Sequence, residues 1–298
     1  MDYISAAQFA RKYNISERTA RNYCAQGKIK GAFLVGKSWN IPAEAPLPGR
    51  KNARKHPVSP LLAALRREKE AKIKGGIYHK TQIELTYNSN HIEGSRLTCE
   101  QTRHIFETNT IGLSPQETLD LDDLIETANH FHCIDHIIDS AEEPLTENYI
   151  RQLHARLKSS TSDSRKNWFA VGRYKQLPNE IGGQPTCPPE EVHRQMSDLL
   201  HRYRTIPYPK TLETILDFHV RFERIHPFQD GNGRVGRLIL FKECLANHIV
   251  PFIITDDLKL YYYRGLQQWG HLDGYLTDTC LTAQDRYKNI LDYYRITY

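Results

Sequence analysis

From about residue 60 onward, apolar positions recur every three or four residues, the spacing of helices that bury one face. On that pattern helices are expected near residues 61–74, 80–92, 98–107, 115–139, 146–157, 189–204, 210–225, 233–247, 257–269 and 283–294. The rhythm breaks between Val171 and Pro189, where Gly172, Gly182, Gly183 and four prolines intervene, so a β-hairpin or exposed flap is expected there. Before residue 60 the pattern is different. Ala6, Phe9, Ala10 and Tyr13 form a short helical stripe, opened by Ser5 with Gln8 three residues on, a capping box. Asn14-Ile15-Ser16 then turns the chain, Ser16 caps a second helix with Glu17 at its positive end, and Gly27 stops it. Phe33-Leu34-Val35 and Trp39-Asn40-Ile41, flanking Gly36-Lys37-Ser38, predict a small β-wing. The prolines and basic residues between Pro42 and Pro60 predict an extended linker, because proline removes the amide donor and fixes φ. The expected organisation is a winged helix–turn–helix head over 1–45, a linker over 46–60 and a mostly α body over 61–298.

Composition narrows the function classes. With 298 residues, 39% hydrophobic and 25% charged, the chain is neither a disordered polymer nor a fibre. Its longest apolar stretches, such as Ile249–Ile254, are too short to span a bilayer, so no membrane partner is expected. Asp2 and Gln8 break any basic-then-apolar leader pattern. Six scattered cysteines without a C-x-x-C pair argue against a disulfide framework or structural zinc, and for a reducing, cytoplasmic setting. Charge is unevenly placed: residues 1–60 carry eleven Lys/Arg against three Asp/Glu, a balance of +8, and the remainder balances at −3. A basic head on a mildly acidic body points to nucleic acid, and Arg18, Arg21 and Asn22 on the second helix are residue types that read base edges. The order helix, turn, basic helix and wing resembles the winged helix–turn–helix of MerR- and excisionase-type DNA binders. A helical hairpin that contacts protein would carry the same pattern.

The chemistry concentrates in His226-Pro227-Phe228-Gln229-Asp230-Gly231-Asn232-Gly233-Arg234-Val235-Gly236-Arg237. Pro227 ends one helix, Gly231 and Gly233 permit turns that gather amide groups, and a new helix near Asn232 presents its positive end to the same point. Arg234 and Arg237 lie on one face of its first turn and can grip a polyphosphate. Asp230 offers a hard oxygen to Mg²⁺, and His226 at the rim is placed as a general base. Gly231-x-Gly233-x-x-Gly236 imitates a dinucleotide fingerprint, but that fingerprint needs a preceding strand and a βαβ unit, and here a helix and His226-Pro227 come first.

These twelve residues fit the Fic-family signature His-Pro-Phe-x-Asp/Glu-Gly-Asn-Gly-Arg-x-x-Arg at all nine fixed positions, and the body is similar to that family over roughly 61–298. The resemblance implies a helical bundle with a flap, and transfer of AMP from ATP to a hydroxyl side chain of a protein. Carried over, His226 deprotonates the target hydroxyl, Asp230 holds Mg²⁺, Gly231, Asn232 and Gly233 form the anion hole, and Arg234 and Arg237 bind phosphate. Gly172-Arg173-Tyr174-Lys175 and Asn179-Glu180-Ile181-Gly182 resemble the family's flap, which aligns a target segment by strand addition and places Ile181 and Gly182 beside the nucleotide. Tyr262 and Tyr263 match a Tyr-Tyr pair that borders adenine, though they would equally suit the core and rim of a helix. Ser89-Asn90-His91-Ile92-Glu93-Gly94, ending the helix expected at 80–92, matches the family's inhibitory pattern. It implies that Glu93, with Ser89 and Gly94, occupies Arg237 in place of the γ-phosphate, and that the same glutamate can serve removal of AMP.

Two weaker patterns complete the reading. His132 and His136, four apart on a helix, are a metal pair only in outline, and Asp120, Asp122, Asp123 and Glu126 are expected to form a solvated helix face. The expected function is an autoinhibited, Mg²⁺-dependent adenylyltransferase acting on a protein or on itself. The alternative is a DNA-binding regulator, dimeric on a two-fold DNA site, whose body senses nucleotide.

Overall fold

The structure, a computed structural model, describes residues 2–13, 15–36, 38–47, 58–113 and 118–298. Most of the expected linker, residues 48–57, lies outside the described residues, as do 114–117, which include the start of the helix expected from 115. The chain divides into two compact units, Met1–Pro57 and Val58–Tyr298.

In the first unit a strand β1 (Tyr3–Ser5) leads into α1 (Ala6–Lys12), followed by α2 (Glu17–Ala25), β2 (Phe33–Val35) and β3 (Ser38–Pro42). The capping box forms as expected: Ser5 Oγ accepts from the Gln8 amide, and Gln8 Oε1 accepts from the Ser5 amide. Ser16 Oγ accepts from the Thr19 amide at the start of α2. The three strands form an antiparallel sheet in the order β1-β3-β2, with Ile4 opposite Ile41 and Leu34 opposite Trp39. β1 is absent from the sequence expectation because three residues are too few to show alternation. Phe9, Ala10, Ala20, Cys24, Ile29 and Ile41 fill the small core.

Among the described residues, the second unit is helical apart from loops and one hairpin. Its elements are α3 (Pro60–Glu70), α4 (Ile77–Ile92), α5 (Cys99–Thr108), α6 (Leu121–Ser140), α7 (Glu147–Leu157), β4 (Glu180–Ile181), β5 (Gln184–Pro185), α8 (Pro189–Thr205), α9 (Leu212–Ile225), α10 (Asn232–Ala246), α11 (Lys259–Gln268) and α12 (Gly274–Tyr293). Side-chain caps set several starts: Ser59 before α3, with Pro60 in its first turn, Asp120 before α6 and Thr211 before α9. α12 begins nine residues ahead of the expected 283. Its buried stripe there is Leu276, Thr279 and Cys280, helically spaced but too polar to register as an apolar face.

α10 is the axis of this unit. From Arg234 to Leu245 every residue is buried, and α4, α6, α7 and α9 pack around it. A helix buried on all sides belongs to the core rather than to a surface. Leu153 and Leu157 of α7, Phe218 and Phe222 of α9, and Leu238 and Phe241 of α10 meet in the main cluster with Phe228 of the intervening loop. The residues that carry the signature are thereby fixed to the best-packed part of the chain. Leu153 is fully buried there. Leu153→Ala is expected to cost about 2–5 kcal/mol, measured by urea denaturation followed by circular dichroism.

Candidate active site

The site grows from the turn between α9 and α10. His226 closes α9 in the left-handed conformation, φ 51° and ψ 61°, with its amide bonded to the Phe222 carbonyl at 2.9 Å. Asn232 holds the turn shut: its Oδ1 accepts from the Phe228 amide and its Nδ2 donates to the Phe228 carbonyl, each at 2.8 Å. The Phe228 ring stacks on His154 of α7, centroids 3.9 Å apart and planes nearly parallel. His154 Nδ1 accepts from the Gly172 amide at 2.9 Å, so its other nitrogen carries the hydrogen and donates to the Asp230 carbonyl at 3.1 Å. This histidine therefore ties the signature loop to the segment that leads into the hairpin.

Gly231 stands at the head of α10 with φ 79°, and no side chain caps that helix. Its first amides and its dipole thus face the site. Both signature arginines are buried just behind. Arg237 donates from Nε to Ser89 Oγ at 3.1 Å, and from one terminal nitrogen to the Ser89 carbonyl at 2.8 Å and Glu93 Oε1 at 2.7 Å. Glu93 sits at the C-cap of α4 and Gly94 follows with φ 101°. Arg234 pairs with Glu126 of α6, and more loosely with Asp230 at 3.3 Å. Here one expectation fails: Glu126 is not on a solvated face. It is 7% exposed, and Lys158, itself 2% exposed, bonds both Glu126 and, at 2.7 Å, Asp230. Asp122 and Asp123 are also engaged, by Ser162 and by the Arg96 amide. Glu126, His130 and Ile134, spaced by four, lie on the inner face of α6, and that periodicity was the available signal.

Titration behaviour follows from this packing. Burial pushes the His226 imidazole down to about 4, helped by the Lys175 charge and opposed by its hydrogen bond to the Glu223 carbonyl. That bond, from Nδ1 at 3.3 Å, leaves Nε2 with its lone pair. Burial alone would raise the Asp230 carboxyl, but Arg234 and Lys158 hold it well below the usual carboxylate range. Glu223 goes the other way, pushed up to about 8 by burial, and its Oε1 has no hydrogen-bond partner. His219 bonds the Tyr262 hydroxyl at 2.6 Å.

The remaining expected residues divide. Tyr262 is buried in the second core cluster, whereas Tyr263 is 41% exposed. Ile181 and Gly182 lie exposed at the β4–β5 turn. Arg18, Arg21 and Asn22 are all exposed on α2, Arg21 in an exposed pair with Glu17. His132 is exposed, His136 packs on the Tyr149 ring, and among the described residues no group of three or more His, Cys, Asp or Glu could hold a metal ion. A polar cavity of about 240 Å³ adjoins the signature, lined by Asn90, Glu93, Glu126, Lys158, Asp230 and Arg234.

Two measurements check this geometry. A Cβ at Gly233 would stand 2.3 Å from Glu93 Oε1 and 3.0 Å from Arg237. Gly233→Ala should therefore cost about 1–3 kcal/mol with Glu93 present and measurably less in Glu93→Gly, a coupling read by a thermal-denaturation double-mutant cycle. Burial also holds His130, His154 and His219 down to about 3, against an ordinary 6.5. The folded state then refuses protons that the unfolded chain accepts. Stability should be complete above pH 6.5 and fall as pH drops toward 3, by about 1.4 kcal/mol per pH unit for each such imidazole, in denaturant titrations across that window.

Comparison with known proteins places this geometry. Residues 144–243, from α7 into α10, match the Fic/DOC family. A protein named Protein adenylyltransferase Fic from Nematostella vectensis is 29% identical over 196 residues, 63% of this chain and 43% of that protein. Protein adenylyltransferase fic-1 from Caenorhabditis elegans is 24% identical over 192 residues, 63% of this chain and 36% of that one. The chain thus spans less than half the length of either relative. Among solved structures, a Fic domain containing signaling protein from Bacteroides thetaiotaomicron superposes with a TM-score of 0.57 at 26% identity, covering 78% of this chain and 90% of that one. Fic-1 (residues 134–508) from C. elegans gives a TM-score of 0.60 at 19% identity, over 79% and 72% of the two chains, a likeness of fold. The second unit therefore carries a Fic/DOC domain, with homologues among the proteins named Fic adenylyltransferases.

Proposed function

We propose that this chain is an autoinhibited, Mg²⁺-dependent adenylyltransferase that moves AMP from ATP to a protein hydroxyl. The observation that carries the reading is the 2.7 Å pair between Glu93 and Arg237 behind the uncapped start of α10, beside His226. The α10 amides would receive the phosphates. Nε2 of His226 takes the proton of a Ser, Thr or Tyr hydroxyl. The freed oxygen attacks the α-phosphorus in line as the bond to the β-phosphate oxygen breaks, and pyrophosphate leaves. Arg234 and Arg237 balance the charge that develops.

Asp230 suits Mg²⁺, because its side chain is half exposed and its carboxyl is held anionic by Arg234 and Lys158. Mg²⁺ keeps most of its shell as phosphate oxygens and water, so one carboxylate suffices. When bound, the ion supplies charge neutralisation on the phosphates. Glu93 restrains the reaction by holding the guanidinium fork that the γ-phosphate requires. The same carboxylate, next to the site, would also orient a water in the reverse reaction, release of AMP from a modified protein.

The N-terminal unit supports a second role. Exposed Arg18, Arg21 and Asn22 project from one helix of a strongly basic segment, which fits DNA binding. In a fluorescence-anisotropy titration of a selected duplex, affinity should fall steeply with salt, and Arg18→Ala/Arg21→Ala should bind more weakly with a shallower salt dependence. Selective DNA binding together with no AMP transfer from Glu93→Gly would favour the regulator over the enzyme.

The direct test is label transfer from α-labelled ATP with Mg²⁺. Glu93→Gly should exceed wild type by about tenfold or more. His226→Ala in that background should lose about 10²–10⁴-fold. Because His226 is held to about 4, the Glu93→Gly rate should be flat from pH 7 to about 5 and fall only below that, as the base becomes protonated. Release of labelled AMP from a modified target by wild type, and not by Glu93→Gly, is the expected result for the reverse reaction.

A further inference from the structure

We propose that Lys175 is a positioning residue, whose buried ammonium clamps both arms of the β4–β5 hairpin to the end of α9, where the His226–Gln229 loop begins, so that flap and base move as one piece. The inference deepens the transferase reading, since a target segment aligned on the flap must meet His226.

The hairpin cannot hold itself. Only two residues pair on each strand, Glu180 with Pro185 and Ile181 with Gln184, and all four are exposed. So short a ladder is not independently stable in water. Its order has to come from its base, and there the structure places one cation. Lys175 is 3% exposed. Its Nζ donates to Asn179 Oδ1 at 2.7 Å on the incoming arm, to Thr186 Oγ1 at 2.6 Å on the outgoing arm, and to the Ile225 carbonyl at 3.4 Å at the end of α9. Three protons thus meet three neutral oxygens. None of these acceptors is a carboxylate, unlike those of the equally buried Lys158. An ammonium buried without a counter-charge is retained only at a cost, which full hydrogen bonding offsets in part. Such a site is sensitive to the loss of any one acceptor.

Neighbouring bonds run between the same two segments. The Lys175 amide donates to the Pro227 carbonyl at 2.8 Å, and the Leu177 amide to Gln229 Oε1 at 3.3 Å. Asn179 Nδ2 donates to the carbonyls of Phe228 at 3.0 Å and Gln229 at 3.4 Å. The Thr186 amide closes the arms on the Asn179 carbonyl at 3.2 Å. Asn179 also links the arms, accepting from Thr186 Oγ1 at 2.5 Å, and reaches the loop. Among the described residues Lys175 adds the tie from both arms to α9, so the hairpin should loosen when it is removed.

Backbone amide exchange on the full-length chain tests this without reference to catalysis. In Lys175→Met, the amides of Leu177 and Thr186 should exchange about tenfold faster or more, while α10 and α12 keep wild-type rates. In the Glu93→Gly background the same variant should raise KM for a protein acceptor several-fold. Thr186→Val removes one acceptor with little change of shape, and should loosen the same amides to a smaller degree if Lys175→Met does not fold. Unchanged hairpin exchange in both variants would overturn the clamp. Uniformly faster exchange across the second unit would also overturn it, leaving Lys175 an ordinary core residue. A loosened hairpin in a Glu93→Gly chain that transfers no label would uphold the clamp and sink the transferase reading instead.

Discussion

Two guanidinium groups buried in the first turns of α10 govern the arrangement around them. A charge taken out of water must be paired and hydrogen-bonded, or the fold cannot keep it. Arg237 therefore draws the end of α4 against α10 through Ser89 and Glu93, and Arg234 draws α6 in through Glu126. Lys158, just past α7, closes the second pair by reaching both Glu126 and Asp230. The close approach has a steric counterpart: side chains at Gly233 or Gly236 would collide with Glu93 or Glu223. The glycines and arginines of the signature are thus one requirement seen twice, space for carboxylates to approach and charges to hold them there.

Much of this was legible in the sequence, for a physical reason. Residues 226–237 combine a helix stop, turn glycines and basic side chains whose effects are local, so each could be read without knowing what lies across the fold. The helices of the body were legible in the same way, through apolar stripes, as were the caps at Ser5 and Ser16. What could not be read depends on partners distant along the chain. Glu126 looks like one more acid in an acidic run, and only its contact with Arg234, 108 positions away, makes it a core residue. Lys158 and Lys175 lie in polar segments with no periodic signal, and their burial is decided by α6, α9 and the signature loop. β1 is defined by its partner strand alone, and the early turns of α12 bury threonine and cysteine where the eye seeks leucine.

The two units also differ in how their charges are used. In the helical unit, buried cations are matched against carboxylates or satisfied by neutral oxygens, and the surrounding helices are positioned as a result. In the N-terminal unit the described basic residues stay at the surface around a small core built on Phe9 and Ile41.

The way Arg237 is held has a consequence for reversibility. Of its three contacts, two go to Ser89 and only one to Glu93. The Ser89 carbonyl belongs to the last turn of α4, whose dipole places partial negative charge there. When the Glu93 carboxylate swings away, the guanidinium keeps a hydroxyl and a helix end as partners and is not stranded in the core. The Glu93 side chain, 30% exposed, has water to receive it. On the proposed reading, the closed form and an open one would be two occupancies of a single framework, separated by a side-chain rotation rather than by an unfolding event.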